Sequence, residues 1–290
     1  MNGIICIYKP KNFTSFDVVA KLRGVFKTKK IGHSGTLDPM ATGVLPVFVG
    51  KATKAISLIP DTDKRYIAKF MLGQSTDTQD VTGNILKSTV SNFSKSDIDN
   101  ILSKYIGKIK QIPPMYSAVK KGGVPLYKLA RKGYIVNREA REVEIYNISC
   151  SFFDEDTQTG ILDVSCSSGT YIRTICNDMG ADLGVGGVLK ELVRTAACGY
   201  ELEDCYSLDE ICAIKDLNEL KGKLKSVESL FESFDKLQLD GAQEIMFRNG
   251  VKLDVDQLPH IDGKVAVYGD SFLGIAHPEG KELKIDKLLV

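Results

Sequence analysis

Residues 32–50 read GHSGTLDPMATGVLPVFVG. Between His33 and Lys51 this stretch holds one ionisable side chain, Asp38, among glycines, small residues and aliphatics. Its second half, VLPVFV (44–49), is a short apolar run of the kind that forms a buried strand. Pro39 biases Asp38 towards extended geometry and suits the start of a turn. Glycines at 35 and 43 allow another backbone or a ligand to come close. Two readings of Asp38 stay open at this level. It is a turn residue, or it is a fixed nucleophile or base that needs a cation partner, because burial alone would raise its pKa.

Working outward, NGIICIY (2–8) reads as a strand, and Ser15 can cap a helix running to about Thr28 with Val18, Leu22, Val25 and Phe26 on one face. KATKAISLI (51–59) reads as a helix and RYIAKFML (65–72) as a strand, while Asp77, Asp80 and Gly83 suit a loop over 76–84. SKSDIDNILSKYIG (94–107) predicts a capped amphipathic helix, with Ile98, Ile101, Leu102 and Tyr105 on one face. PLYKLARKG (125–133) has proline at a helix start and glycine at its end. EVEIYNISCSFF (142–153) and GILDVSCSS (160–168) predict a hairpin across the polar DEDTQT, followed by a helix from about Thr170 to Leu183. From about 207 the chain turns acidic and helical. It closes with a helix, AQEIMFRNG, and three short strands, KVAVYG, FLGIAH and LKIDKLL. Elements mix without regular βαβ alternation, which predicts an α+β fold. The division expected is 1–235 for the main domain and 236–290 for a small β-rich appendage.

The 290 residues are 43% hydrophobic and 26% charged, enough to bury a sizeable core. The longest apolar run falls far short of the ~20 residues of a membrane span. The start, MNGIICIYKPKN, lacks the basic region and cleavage site of a signal peptide. Seven cysteines without a C-x-x-C pair read as reduced thiols of a cytoplasmic protein rather than as a zinc site. Net charge is +1, but its distribution is uneven: residues 1–141 hold 24 Lys and Arg against 9 Asp and Glu, and residues 142–290 hold 14 against 28. Two blocks carry the surplus, 1–60 and 104–141. Such asymmetry points to a surface for a polyanion, nucleic acid first; solvated lysines paired with the acidic half are the plain alternative.

Several enzyme templates fail. GHSG lacks the second glycine of a nucleophile elbow, because Thr36 stands there. GADLGVGG (180–187) is no dinucleotide fingerprint, and there is no P-loop lysine. The three histidines, at 33, 260 and 277, have no metal-ligand spacing.

Six ordered blocks do agree with one family. GHSGTLDPMATGVLP resembles the signature of the TruB-type tRNA pseudouridine synthases, which isomerise uridine 55 of the T-loop. YKPKNFTS (8–15) resembles their K-P-x-G-x-T-S motif, and KRYIAKFMLGQSTDTQDVTG (64–83) their K-R-Y…L-G-x-x-T-D-T-x-D-x-x-G segment. QIPPMYSAVKKGGVPLYKLARKG (111–133) resembles Q-x-P-P-x-Y-S-A-x-K; SSGTYIRTICNDMG (167–180) resembles G-T-Y-I-R-T; LKELVRTAACGY (189–200) resembles L-R-R-T-x-x-G-x-F. The C-terminal appendage resembles the family's PUA-like domain more weakly.

The resemblance implies a mixed, largely antiparallel central sheet flanked by helices, with a small β-rich PUA-like C-terminal domain. It implies Asp38 as the catalytic aspartate, Arg173 as its arginine partner, and Tyr66 as the tyrosine that packs on the base and is placed for proton transfer. Tyr171 and Leu192 would line the uracil pocket, and His33 would reach the T-loop where the flipped base has left. Lys9 and Pro10 would support the site, Lys9 structurally or by RNA contact. The implied reaction breaks N1–C1′, rotates the base and forms C5–C1′, with no redox change and no hydrolysis, so no metal and no cofactor are expected. Whether the carboxylate attacks C1′ or removes a proton at C2′ stays open. The expected partner is the T-stem-loop of tRNA, met by a cytoplasmic monomer. Asn12 replaces a family glycine, a position at which Asn accepts φ > 0, and Val193 replaces one family arginine. The rivals are a non-catalytic RNA-binding or tRNA-folding protein on the same fold, and a synthase for another RNA uridine.

Overall fold

The computed structural model describes residues 1–289. Strand β1 (Gly3–Lys9) turns into helix α1 (Ser15–Val25). Thr14 caps this helix where Ser15 was expected to: its hydroxyl accepts from the Asp17 N–H at 3.0 Å, and the Asp17 carboxylate accepts from the Thr14 N–H at 2.8 Å. Ser15 is buried, and its Oγ accepts from the Leu37 N–H at 2.9 Å. Strands β2 (Ile31–His33) and β3 (Thr42–Val49) follow. The expected helix after them is a 3₁₀ helix, Gly50–Leu58; its buried Ala52 and Ala55 lie three apart, the repeat of that tighter winding.

Strand β4 (Lys64–Leu72) alternates cleanly, burying Lys64, Tyr66, Ala68, Phe70 and Leu72. The expected loop beyond it is a hairpin, Gln74–Thr76 paired with Ile85–Ser88. Helix α2 (Lys95–Leu102), capped by Ser94 and Asp97, buries Ile98, Ile101 and Leu102, and then tightens into a 3₁₀ turn at Ser103–Tyr105. Strand β5 (Gly107–Gln111) leads to a single helical turn at Leu126–Ala130. Strands β6 (Arg141–Asp154) and β7 (Thr159–Cys166) form the predicted hairpin. Helix α3 (Ile172–Asp182), strand β8 (Gly187–Ala197) and strand β9 (Cys205–Ser207) come next. The C-terminal strands are β10 (Asp235–Gln238), β11 (Leu253–Asp254), β12 (Val265–Tyr268), β13 (Phe272–Glu279) and β14 (Glu282–Leu288).

Two compact units result, residues 1–38, 45–61 and 198–290 in one and 39–44 and 62–197 in the other. In the second unit β4 lies between β7 and β8, antiparallel to both, and β6 and β5 extend the sheet antiparallel beyond β7. A short parallel ladder, Val193 to Thr42 and Arg194 to Gly43, adds the first residues of β3 beside β8. The sheet is mixed and largely antiparallel, as expected. Helix α3 meets β8 through glycines: a Cβ on Gly180 would lie 2.1 Å from the backbone of Gly186 and Gly187. That contact explains GADLGVGG without any nucleotide.

In the first unit β1 runs parallel to β9, and β2 pairs antiparallel with β3. Ile5, Ile7, Leu45, Val47 and Val49 bury one face under Val18, Val19, Leu22 and Phe26 of α1. The C-terminal sheet, in the order β10-β12-β13-β14-β11, packs Leu237, Val265, Val267 and Leu273 around Phe247. Ala266 and Ile275, on its other face, pack with Phe231 and Ala55. All seven cysteines are free thiols. Among the described residues no helix is long and apolar enough to cross a membrane.

Gly180→Ala tests the helix–strand contact. It should destabilise the protein by about 3 kcal/mol or more in urea unfolding, because backbone atoms cannot yield to a methyl group. Gly222→Ala, with open space around its Cβ position, should stay within about 1 kcal/mol of the parent. Equal effects at the two sites would refute the packing argument.

Candidate active site

Asp38 sits half-buried just beyond β2, in a segment without regular structure. The residue before it, Leu37, is buried and its N–H is held by Ser15 Oγ, while Met40 and Ala41 after it are buried too. The chain is therefore pinned on both sides of the carboxylate. His33, half-buried, ends β2 opposite Val47, and the neighbouring Ser34 N–H donates to the Pro46 carbonyl at 3.0 Å. Lys9 is fully buried; its Nζ donates to the carbonyls of Phe13 at 2.6 Å and Pro10 at 3.0 Å. These bonds close a turn in which Asn12 has φ +66°, the conformation a glycine would supply. Of the two roles open for Lys9, the structural one fits an ammonium out of reach of solvent.

A second group is built on the sheet of the other unit. Tyr66, only 6% exposed, lies on β4 with Arg194 of β8 as its register partner, and Leu192 stands opposite Ala68. Strand alternation puts these side chains on one face and Val193, the departure from the family pattern, on the other. Arg194 is fully buried, and its Nε donates to the Val44 carbonyl at 2.8 Å. Gly43 makes this approach feasible, because a Cβ there would sit 2.2 Å from the Arg194 carbonyl oxygen.

A third group centres on the start of α3. Tyr171 is the residue before the helix, with φ −100° and ψ 106°. The Gln111 side chain grips both its backbone groups: Oε1 accepts from the Tyr171 N–H at 2.8 Å, and Nε2 donates to its carbonyl at 3.0 Å. Arg173, two residues on, is 3% exposed and donates to the Thr78 carbonyl at 2.8 Å and the Tyr116 carbonyl at 2.9 Å. Asp80 lies 3.6 Å from its guanidinium. Asp80 is itself buried and accepts from the Thr78 hydroxyl, the Thr82 hydroxyl and the Thr82 N–H. Thr174 completes the clamp on this loop by donating to Gln79 Oε1 at 2.7 Å.

Gln111 and Arg194 were not singled out by the sequence reading, although each stands inside a quoted block, and Asp80 was read only as a loop residue. Their residue types were visible, whereas their partners are distant in the chain. The nearest thiol to Arg173 along the helix, Cys176, is fully buried, and burial pushes it up to about 12, so it offers no thiolate at neutral pH. Among the described residues no three His, Cys, Asp or Glu side chains converge as a metal site. What these groups offer is a pinned carboxylate, a buried tyrosine beside a buried arginine, and a second arginine held by carbonyls and a carboxylate.

Comparison with known proteins points one way. Residues 23–172 match the family described as TruB family pseudouridylate synthase (N terminal domain), and residues 173–232 match the tRNA pseudouridylate synthase B C-terminal domain. The chain is 42% identical over 299 residues to the tRNA pseudouridine synthase B of Clostridium perfringens (strain 13 / Type A), covering 100% of this chain and 99% of that one. It is 39% identical over 297 residues to the protein of the same name from Clostridium tetani, covering both chains fully. Among solved structures it resembles a chain of a Cbf5-Nop10-Gar1 complex with a TM-score of 0.74 at 23% identity, covering 99% of this chain and 85% of that one. That likeness concerns the fold.

Gln111→Ala should remove the side chain that accepts from the Tyr171 N–H, while the Tyr171 carbonyl keeps the N–H groups of Thr174 and Ile175, and cost about 1–3 kcal/mol in unfolding. Gln111→Glu, which can only accept when ionised, should fall between that variant and the parent at neutral pH. A glutamate variant as stable as the parent would break the bidentate reading.

Proposed function

This chain belongs to the TruB family of pseudouridylate synthases, and we propose that it isomerises the uridine at position 55 in the T-loop of tRNA to pseudouridine. The observation that carries the proposal is end-to-end identity of 42% with a tRNA pseudouridine synthase B in a chain that holds Asp38, Tyr66 and Arg173 at the motif positions. A non-catalytic RNA-binding relative would be expected to have lost at least one of them.

In this proposal Asp38 is the carboxylate that attacks C1′ or takes a proton from C2′. Its pinned backbone suits either task, because a positioned group spends no further entropy reaching its target. Arg173 is assigned as the cation that favours an ionised carboxylate, and a guanidinium keeps its charge even when buried. Tyr66 packs on the ring and serves as weak acid or base at the carbon from which a proton must leave. Tyr171 and Leu192 wall the flipped uracil, His33 contacts the loop it left, and Lys9 and Pro10 hold the turn behind them. The base stays in one molecule throughout and no electrons are transferred, so the chemistry asks for no metal or cofactor.

The same reading makes the protein a cytoplasmic monomer, with residues 1–235 as catalytic domain and 236–290 as a small PUA-like appendage. Supporting it are the five-stranded C-terminal sheet and the exposed lysines of residues 104–141. The latter would follow phosphates of the RNA.

Asp38→Asn should abolish pseudouridine formation on a T-arm hairpin while leaving RNA affinity within about threefold of the parent; product mapping that finds turnover in this variant would sink the assignment. Exchanging Lys108, Lys110, Lys120 and Lys121 for glutamine should flatten the plot of log affinity against log salt by roughly 0.7–0.9 per lost phosphate contact. An unchanged slope would remove that segment from the interface.

A further inference from the structure

Helix α1 has a buried face and an exposed one, and the exposed one is unusual. Between residues 11 and 30 stand Lys11, Lys21, Arg23, Lys27, Lys29 and Lys30 against a single acid, Asp17. Asp17 is engaged at the N-cap, where the Thr14 hydroxyl and N–H hold its carboxyl below the usual range. Among the described residues none of those six cations has a carboxylate within 4 Å. Phe16 is 60% exposed, a large ring in solvent at the head of the helix. The Arg23 guanidinium carbon lies 5.3 Å from its centroid, and Lys21 Nζ lies 5.1 Å from the ring of Phe13. Arg23 Nε is shielded from solvent yet has no hydrogen-bond partner.

A face made only to be soluble has no need of an exposed phenylalanine, and it gains from mixed charge. A face that binds single-stranded nucleic acid needs the two things present here, cations for the backbone and an aromatic ring for a base. Its place in the fold fits as well. Ser15, beside Phe16, bonds the backbone of Leu37, the neighbour of Asp38. From there the eleven residues of α1 carry the cations away over roughly 16 Å.

We propose that the exposed face of α1 together with the segment that follows it, from Phe16 and Arg23 on the helix to Lys27, Lys29 and Lys30 beyond its end, docks the phosphodiester backbone of the substrate RNA, with Phe16 stacking on an unpaired base. The inference rests on the proposed function, since the RNA it holds is the one that reaches Asp38. The core residues Val18, Val19, Leu22 and Phe26 lie on the opposite face, so the docking residues can be exchanged without disturbing them.

The test is binding of a T-arm hairpin RNA at several salt concentrations together with steady-state pseudouridine formation. The triple variant Lys27→Asn, Lys29→Gln, Lys30→Gln uses asparagine at 27 because that residue has φ +49°. It should lower the slope of log affinity against log salt by about two. Phe16→Ala should weaken binding about tenfold with the slope unchanged, raising KM while kcat holds, and Phe16→Tyr should restore affinity. Parent-like affinity and slope in both the triple variant and Phe16→Ala would overturn the proposal. Should Phe16→Ala melt early, the triple variant decides alone, since its three lysines are exposed. A parent protein that forms no pseudouridine would instead defeat the function itself, a result the binding curves keep separate.

Discussion

A guanidinium cannot shed its charge, so burying Arg194 outright forces the structure around it to be specific. The effective desolvation penalty is several kcal/mol, and an arginine without partners there would unfold the region. The Val44 carbonyl answers part of it, and Gly43 lets the two backbones close to a distance no side chain would permit. The parallel ladder between β3 and β8 is only two residues long, Thr42 with Val193 and Gly43 with Arg194. A ladder so short would slip on backbone bonds alone. The buried side chain sets its register, and on its other side the antiparallel β4–β8 ladder pairs the same Arg194 with Tyr66. Asp38 lies four residues before that ladder and one after Leu37, which Ser15 holds. A carboxylate with so little free chain on either side has few places to be.

The second constraint is of the same kind, applied to segments without regular structure. Residues 77–83, 112–117 and 171 are held by side chains that reach across 57 to 95 positions of sequence. Arg173 joins two carbonyls and a carboxylate, and Gln111 takes both backbone groups of one residue. Buried polar groups are costly when half-satisfied and rigid when complete. The loops therefore inherit from α3 and β5 a stiffness that their own backbones lack, which is what a site for an extruded base requires.

That difference explains what could be read in advance. β4 and the β6–β7 hairpin follow from period-two burial, β1 from its short, nearly continuous apolar run, and α2 from its cap and its apolar stripe. β8 was not read as a strand, although it is central to its sheet. Lys190, Glu191 and Arg194 blur its alternation, and register shifts after Leu189 and Arg194 break the period. KATKAISLI reads only as a helix, because apolar spacing of three fits an α-helix and a 3₁₀ helix alike over so short a run. Thr14 and Ser15 compete for one cap by the same chemistry, and the contest is settled by Leu37, far along the chain. For the site, residue types were legible because ordered motifs carried them. The partners of Arg173 and Gln111 were not, since nothing local in a sequence says which distant carbonyl a side chain will meet.

Charge follows the same logic. Five acids of the second half pair with cations of the same half, Asp204 with Lys225, Glu244 with Arg248, Glu279 with Lys284, Glu282 with Lys252 and Asp256 with Lys281, which leaves the acidic surplus of that half as it was. Exposed pairs of this sort contribute roughly 0–1 kcal/mol each, so their effect on stability is slight. Among the described residues the six cations between residues 11 and 30 have no carboxylate within 4 Å. A molecule of net charge +1 can thus still present a strongly positive face, and over distances within the screening length of about 8 Å a polyanion responds to that face, not to the total.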